Sequence, residues 1–203
     1  MSDVSTEPFA GPGGALGRLV QALDPMEKRK GPPPVERWNP AYCGEIDMRI
    51  AADGTWHYNG SPIGRPALVK LFSTILRKDP ERYVLVTPVE RVGIVVEDAP
   101  FVAVEMAVEG EGDDRQIAFR TNVDDLVQVD AEHPLRFESD DTGGLKPYVR
   151  VRGDLWARTT RPLALDLVAL GEERVFDGAA TFGVAAAGRF FPIAPAAALD
   201  GSA

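Results

Sequence analysis

The sequence predicts an α+β protein of duplicated strand-helix-antiparallel-sheet domains, preceded by an N-terminal helix and a proline-rich linker. Three observations predict this class: one segment with helical periodicity, many short alternating segments, and an ordered repeat in the later half. The chain has 203 residues, of which 44% are hydrophobic and 26% charged. A chain of this length and composition can bury a core without disulfide bonds.

Residues 1–40 are predicted to form a helical arm and its linker. The run Gly31-Pro32-Pro33-Pro34 favours an extended backbone, and Trp38 is expected to pack onto a neighbouring domain. The helix is predicted from apolar residues at i, i+3, i+4 and i+7, namely Leu16, Leu19, Val20 and Leu23.

Residues 41–98 are predicted to form the first α+β domain. Two short strands flank Asp53-Gly54, which is a hairpin signal. From Pro66 to about Lys78 one face is apolar at helical spacing, and Pro80 is expected to end that helix.

Residues 99–192 are predicted to form the second α+β domain, and the Pro/Ala-rich residues 193–203 a flexible tail. Further strands are predicted in both domains from alternating or apolar runs. Those of the first domain are Tyr83–Val86 and Arg91–Val96, and those of the second are Val102–Glu109, Gln116–Thr121, Leu126–Val129, Leu135–Glu138, Arg174–Asp177 and Thr181–Ala187.

An ordered repeat indicates that the two domains arose by duplication. Each copy contains a strand, a tight turn, a strand with a tryptophan, and a helix with proline in its first turn. Features found in both copies are predicted to build the scaffold, so Trp56 and Trp156 are expected in the core. The matching segments are Arg49-Ile50, Gly54–Trp56 and Arg65–Leu71 in one copy, and Arg150-Val151, Gly153–Trp156 and Arg161–Leu167 in the other.

The composition argues against several functions. A single cysteine, Cys43, excludes an internal disulfide and is expected to be packed. His57 and His133 are the only histidines, and no Walker loop, nucleophile elbow or paired-histidine zinc spacing occurs. The sequence therefore predicts a non-enzymatic protein without a metal or cofactor.

The charge distribution argues against duplex nucleic acid as a partner. The net charge is −9, and residues 97–141 hold 14 acidic and 3 basic residues. The remainder holds 17 acidic and 19 basic residues, so the arginines outside the acidic segment are still able to bind a compact anion. No apolar run approaches the ~20 residues of a membrane span, and no signal peptide is visible. A cytoplasmic protein is predicted.

Three polar clusters occur in one copy only, which makes them candidates for ligand binding. They lie at the ends of predicted strands, where loops expose polar groups, and their arginines suit a phosphate or carboxylate. Each cluster is alternatively a turn or an ion pair. Their candidate residues are Thr87, Glu90 and Arg91; Asp98; and Arg120, Thr121 and Asn122.

Asp47 and Arg49 form a further candidate pair on one face of their strand, with pairing to each other as the alternative. The leading hypothesis places a small anion between the domains, held by Arg49, Arg91 and Arg120, with Trp38 available for stacking. Arg150, Arg152 and Arg158 occupy comparable positions in the second copy.

The sequence resembles the bacterial domain-of-unknown-function 1285 family over most of residues 16–192. Several long motifs keep their order, and they carry the resemblance: Gly31–Pro34, Trp38–Pro40, Cys43–Ile50, Asp53–Trp56, Gly60–Ile63, Leu71–Ser73, Tyr83–Glu90 and Glu97–Phe101.

The resemblance implies a duplicated core whose second domain is loosely like a pleckstrin-homology fold. It also implies a nucleotide-like ligand between the domains and a role in signalling. At the positions that match the family, the resemblance implies that Asp47, Arg49, Thr87, Glu90 and Asp98 are candidates for binding this ligand.

These observations together predict a regulatory protein that binds a small anionic ligand. The runner-up is a protein-protein interaction module that engages a protein partner through the N-terminal arm or the acidic segment. A hydrolase that uses Asp47, Glu90 or Asp98 as a base is the third hypothesis.

Overall fold

The computed structural model describes residues 17–19, 21, 33–140 and 143–198. The chain forms two compact units. Unit 1 contains Trp56–Val95 and the described residues up to Ile50. Unit 2 contains Ala51–Thr55 and the described residues from Val96 onward.

Unit 1 is a six-stranded sheet with one helix. The strands lie in the order β3-β2-β1-β6-β5-β4. Their bounds are β1 Tyr42–Ile50, β2 Trp56–Tyr58, β3 Ser61–Pro62, β4 Leu76–Asp79, β5 Arg82–Val86 and β6 Arg91–Val96, and helix α1 is Pro66–Thr74.

The core of unit 1 joins α1 to the sheet. Trp56 on β2 is 1% exposed and stacks on Phe72 of α1, with 6.4 Å between ring centroids. Val84, Leu85 and Val86 form a fully buried apolar run on β5. Such a run is typical of a strand covered on both faces.

Helix α1 ends earlier than the helical periodicity predicts. The predicted helix reached Lys78, but Leu76 pairs with Leu85 and Asp79 with Arg82 in an antiparallel β4–β5 hairpin. Tertiary pairing outweighs the local pattern because Leu76 is completely buried on β4. Pro80 therefore lies in the hairpin turn rather than at a helix end.

Unit 2 contains a six-stranded sheet, a three-stranded sheet and one helix. The larger sheet has the order β10-β11-β12-β7-β8-β9, and the smaller is β13-β14-β15. The bounds are β7 Phe101–Glu109, β8 Gln116–Thr121, β9 Leu126–Gln128, β10 Leu135–Ser139, β11 Leu145–Arg152, β12 Leu155–Thr159, β13 Glu172–Phe176, β14 Ala179–Ala186 and β15 Arg189–Pro195, with helix α2 at Arg161–Ala169.

The predicted duplication is visible in the order of elements. Each unit has a six-stranded sheet, and β1-turn-β2 followed by α1 corresponds to β11-turn-β12 followed by α2. Both helices have nine residues and proline in the first turn. The strands after α1 stay in the same sheet, whereas those after α2 form a separate sheet. The protein is therefore mostly β with few helices, rather than evenly α+β.

The prediction that Trp156 lies in the core is wrong. Its indole Nε1 donates to Asp154 Oδ1 at 3.1 Å, and the guanidinium of Arg136 lies 4.4 Å from the ring centroid. On β12 the buried positions are Leu155 and Ala157, so strand alternation places Trp156 on the other face. The expectation of a packed cysteine is also wrong, because Cys43 is exposed near the start of β1.

The chain ends are described only in part. Residues 17–19 and 21 are helical with Leu19 fully buried, while Leu16, Val20 and Leu23 of the predicted stripe lie outside the described residues. Strand β15 runs past position 193, where the flexible tail was predicted to begin, and Ala196 is buried. Within the described residues, no helix is long and apolar enough to cross a membrane.

Candidate functional site

The candidates on β1 of unit 1 lie on the surface. Asp47 is exposed, and its carbonyl oxygen accepts from the Asn59 amide at 2.9 Å. Arg49 pairs with His57 across the β1–β2 hairpin. Trp38 is half-buried beside the sheet, where its carbonyl oxygen accepts from Arg77 at 2.7 Å.

The buried Thr87 organises the turn between β5 and β6. Its hydroxyl oxygen accepts from the Glu90 amide at 3.1 Å, and its own amide donates to the Glu90 carbonyl at 2.9 Å. The Glu90 carboxylate lies 3.6 Å from Arg18, and Arg91 donates to Asp79 at 3.0 Å. The structure thus gives this cluster the role of a turn with ion pairs.

The same pattern recurs in unit 2. The fully buried Thr121 accepts through its hydroxyl from the Val123 and Asp125 amides. Asn122 accepts from the Val102 amide at 3.0 Å and donates to the Gly54 carbonyl at 3.4 Å.

The remaining arginine candidate, Arg120, is a half-buried cation paired with two carboxylates. It donates to both oxygens of Glu105 and, at 3.1 Å, to Asp124. The ion pair with Glu105 holds the pKa of that carboxyl below its usual range. Arg91 lies in unit 1 and Arg120 in unit 2.

Asp98 is a half-buried candidate that belongs to a polar network of unit 2. It accepts from the Tyr148 hydroxyl at 2.7 Å and from Arg158 Nη1 at 3.1 Å. Arg158 Nη2 donates to the Ala52 carbonyl at 2.8 Å, and the Ala52 amide donates to Glu97. Desolvation of the phenol, followed by the bond to Asp98, raises the pKa of Tyr148 well above its usual range.

A cavity of about 490 Å³ opens beside this network in unit 2. It lies where β11 begins and β12 ends, next to the first turns of α2. Lys146, Arg158 and Arg161 line it together with a single described carboxylate, Asp140. Among the described residues, no carboxylate pairs with Lys146 or Arg161. The cavity is therefore cationic in a protein of net charge −9.

Thr159 gives the cavity a buried polar group without a partner. The residue is 5% exposed, lines the cavity, and has no hydrogen bond to its hydroxyl oxygen among the described residues. Native buried hydroxyls almost always have a partner, because desolvation without one costs about 1–3 kcal/mol. The cavity lining therefore includes a residue whose hydroxyl is buried and has no partner among the described residues.

The first turn of α2 faces the same space. Its N-cap residue Thr160 has extended dihedral angles and makes no side-chain capping bond. The first-turn amides of Arg161 and Leu163 carry a partial positive charge and lack intrahelical partners, whereas Pro162 has no amide hydrogen to donate. With Arg161 at the first helical position and Thr159 just before the cap, the helix start adds to the attraction for an anion.

A second cavity of unit 2, of about 430 Å³, is lined by Glu132, His133, Arg150 and Arg152. Its arginines are engaged within the protein. Arg150 donates to the Gly153 carbonyl, and Arg152 donates to Asp125 at 2.6 Å. This cavity therefore offers an anion less unpaired positive charge than the first.

Sequence reasoning found only part of the cationic cavity. Arg158 was noted as a potential cleft arginine, whereas Arg161 was assigned to the scaffold because Arg65 matches it in the other copy. Lys146 and Thr159 were not singled out. The available signal was that all four residues follow the acidic segment 97–141, in the part of the chain that carries excess positive charge.

Two family models match the chain. One is described as "Domain of unknown function (DUF1285), N-terminal domain" and matches residues 33–99; the other is "Protein of unknown function (DUF1285), C-terminal domain" and matches residues 100–193. A search of curated proteins found no significant match.

Two solved structures are similar to this chain. A DUF1285 family protein from Silicibacter pomeroyi DSS-3, a crystal structure at 2.50 Å resolution, is 47% identical, with 88% of this chain and 97% of that chain covered and a TM-score of 0.79. A DUF1285 family protein from Shewanella baltica OS155 is 27% identical, covering 61% of this chain and 91% of that chain, with a TM-score of 0.49. The matches across residues 33–193 and the 47% identity over most of both chains show that this protein belongs to the DUF1285 family.

Proposed function

We propose that this protein is a non-catalytic, regulatory binding protein whose ligand is a small anion held in the cationic cavity of unit 2. One observation carries the proposal: Lys146, Arg158 and Arg161 line a cavity together with Thr159, whose buried hydroxyl has no partner among the described residues. Guanidinium and ammonium groups next to a hydroxyl and a helix start match a phosphate or carboxylate.

The proposed site differs from the cluster that the sequence suggested. Arg91 and Arg120 are engaged by Asp79, Glu105 and Asp124, so an anion would have to displace these carboxylates. Lys146 and Arg161 have no such competitors among the described residues. We therefore prefer the cavity of unit 2 for the anion, while a role for Arg49, Arg91 or Arg120 stays a prediction.

The size of the cavity favours a small molecule. Ligand sites in proteins usually enclose about 300–1,000 Å³, and about 490 Å³ falls within that range. A nucleotide-like ligand and a signalling role, both implied by the family resemblance, remain parts of the proposal. A cytoplasmic location is also part of the proposal. A pleckstrin-homology-like second domain is a further part, and the two sheets and one helix of unit 2 support it in outline.

The direct test is a thermal-shift titration of the full chain with inorganic phosphate and with adenosine monophosphate. A ligand at a hundred times its dissociation constant stabilises the fold by about 2.7 kcal/mol. We expect the shift to shrink in Lys146→Ala and Arg161→Ala and to persist in Arg189→Ala. Arg189 is an exposed arginine of unit 2 outside the cavity lining, and it serves as the matched control.

Two results would contradict the proposal. One is the absence of any shift with either anion; the other is an equal loss of the shift in all three variants. The first would favour the protein-interaction hypothesis, whose next test is partner recovery with and without residues 1–40.

A further inference from the structure

Helix α2 has an unusual composition for a surface helix. Its sequence RPLALDLVA has polar side chains only at Arg161 and Asp166. A helix that is apolar all round is normally buried, yet Leu165 is 65% exposed whereas Leu167 is fully buried on the core side. The helix therefore presents a second apolar face that the described residues leave open to solvent.

This second face lines the cationic cavity. Val168 is four residues after Ala164 and three after Leu165, so these three side chains lie on one side of α2. All three line the cavity. Leu145 and Pro147 of β11 provide further apolar lining. The cavity thus combines a cationic region at the start of α2 with an aliphatic region along the same helix.

We propose that the ligand is an amphipathic anion, a carboxylate or phosphate monoester that bears an aliphatic chain. The inference rests on the proposed function, because it assigns the ligand class of the same site. The head group contacts Lys146, Arg161 and the Thr159 hydroxyl, and the chain lies against Ala164, Leu165 and Val168. A cavity of about 490 Å³ accommodates one such molecule and no macromolecule.

The proposal makes a quantitative statement about chain length. Each methylene buried against apolar side chains strengthens binding by roughly fourfold, which is the transfer free energy of a CH₂ group expressed as an affinity ratio. An anion bound by charge alone has no such dependence. Chain length therefore separates an amphipathic site from a plain anion site.

The test is isothermal titration of the full chain with a series of alkyl phosphates, from methyl to octyl, below their micellar concentrations. Inorganic phosphate reports on the head-group site alone. We expect affinity to rise by roughly two- to fourfold per added methylene until the cavity is filled. Vesicles of phosphatidylglycerol form a second arm, because a lipid head group supplies the same chemistry from a membrane.

Two serine variants isolate the aliphatic region. Leu165→Ser is expected to remove most of the chain-length dependence, measured as the ratio of the octyl phosphate affinity to the inorganic phosphate affinity of the same variant. Val175→Ser is the matched control, since Val175 is an exposed apolar residue of unit 2 outside the cavity lining, at 81% exposure. It should leave the whole series unchanged, and both substituted side chains are mostly exposed, at 65% for Leu165 and 81% for Val175.

The outcomes separate this inference from the proposed function. Binding of inorganic phosphate with no gain along the alkyl series overturns the amphipathic ligand and leaves the anion site standing. No binding by any member overturns both. Sedimentation with vesicles but no chain-length dependence in solution overturns the small-molecule site in favour of a membrane surface.

Discussion

At the residue scale, Thr159 has a buried hydroxyl without a partner among the described residues, and the proposed ligand would supply one. A hydroxyl that is buried without a partner costs free energy in the ligand-free protein. The residue occupies the end of β12, where a valine would satisfy the strand and the packing equally well. Retention of the hydroxyl is explained if it hydrogen-bonds a ligand in the cavity.

We therefore predict opposite effects of Thr159→Val on stability and on binding. The substitution should stabilise the ligand-free protein by about 1 kcal/mol, because it removes an unpaired buried hydroxyl. A thermal melt should show this as a rise of about 2–4 °C. The additional shift produced by inorganic phosphate should decrease. Lower stability with an unchanged phosphate shift would show that the hydroxyl has only a structural role.

Arg77 is a buried residue that the helical periodicity concealed. It lies within the helix predicted from Pro66 to about Lys78, but on β4 it is 8% exposed and forms several hydrogen bonds. Its Nη1 donates to the carbonyl oxygens of Val35 and Trp38, and its Nε donates to Asp79 at 2.7 Å. One guanidinium thus holds the segment before β1 against the sheet of unit 1.

Arg77→Met should destabilise the protein by about 3 kcal/mol, because it leaves the Asp79 carboxylate and two carbonyl groups without this donor. Equilibrium unfolding in urea measures the change. Arg82→Met is the control, since Arg82 is a more exposed arginine with ion-pair distances of 3.6 and 3.8 Å, and it should cost less than about 1 kcal/mol. Equal effects of the two substitutions would contradict the assigned role.

At the scale of elements, the network behind the cavity joins β11, β12 and the turn at residues 51–55, all within unit 2. Tyr148 of β11 and Arg158 of β12 both donate to Asp98, and Arg158 also donates to Ala52. Tyr148 and Arg158 are paired residues of the β11–β12 ladder. The network therefore fixes the position of Arg158. Among the described residues, Arg158 is the only one of the three cavity cations that pairs with a carboxylate.

This network predicts a specific loss of stability at alkaline pH. The pKa of Tyr148 is raised above its ordinary value of 10.0, so the folded protein retains this proton while the unfolded chain releases it. The contribution is complete below pH 10 and declines as the pH rises above that value. Tyr148→Phe should flatten this part of the stability profile in thermal melts recorded between about pH 9 and 11.

A second measurement assigns the effect to Tyr148. The chain has four tyrosines, and absorbance near 295 nm follows their ionisation. The wild-type titration should contain one step that is complete only after unfolding, and Tyr148→Phe should lack it. Retention of that step in the variant would assign the alkaline transition to another group.

The elements also show what local sequence patterns determine and what they do not. Runs such as Arg91–Val96 and Gln116–Thr121 were predicted with the observed bounds, because alternation or continuous apolarity is set by which faces are buried. Strand β4 was missed because its residues also fit a helical stripe, and only pairing with β5 decides between the two. The sheet β13-β14-β15 is built from two tight hairpins at Asp177-Gly178 and Ala187-Gly188, but no local pattern shows that it stays separate from the six-stranded sheet.

The candidate site shows the same division. Thr87 and Thr121 were correctly placed at strand ends, but a turn and a binding loop use the same residue types, and only the hydrogen bonds separate them. The cationic cavity depends on the meeting of β11, β12 and α2, which are adjacent in the sequence but whose side chains converge only in the fold. Arg161 was set aside because it has a counterpart in the first copy, although shared position does not imply shared role.

At the scale of the whole molecule, charge is distributed unevenly along the chain. Residues 97–141 carry a balance of −11, whereas Lys146, Arg158 and Arg161 follow that segment in the positively charged remainder. A net charge of −9 repels other anions at long range and destabilises the compact state. A bound anion must therefore gain more from the local cations than it loses to the global field.

This balance predicts opposite effects of salt on the empty and the liganded protein. When sodium chloride rises from about 0.01 M to about 1 M, the Debye length falls from about 30 Å to about 3 Å. Screening weakens the self-repulsion of the acidic protein, so the melting temperature of the ligand-free protein should rise. The same screening weakens the attraction between the cavity cations and phosphate, so the phosphate-dependent shift should fall. Melting curves recorded in phosphate and in chloride at matched ionic strength measure both effects. Arg161→Ala should reduce the phosphate-dependent shift and leave the salt dependence of the ligand-free melting temperature unaltered. Identical shifts with the two salts at every ionic strength would mean that phosphate acts only as an electrolyte and that the cavity holds no specific anion.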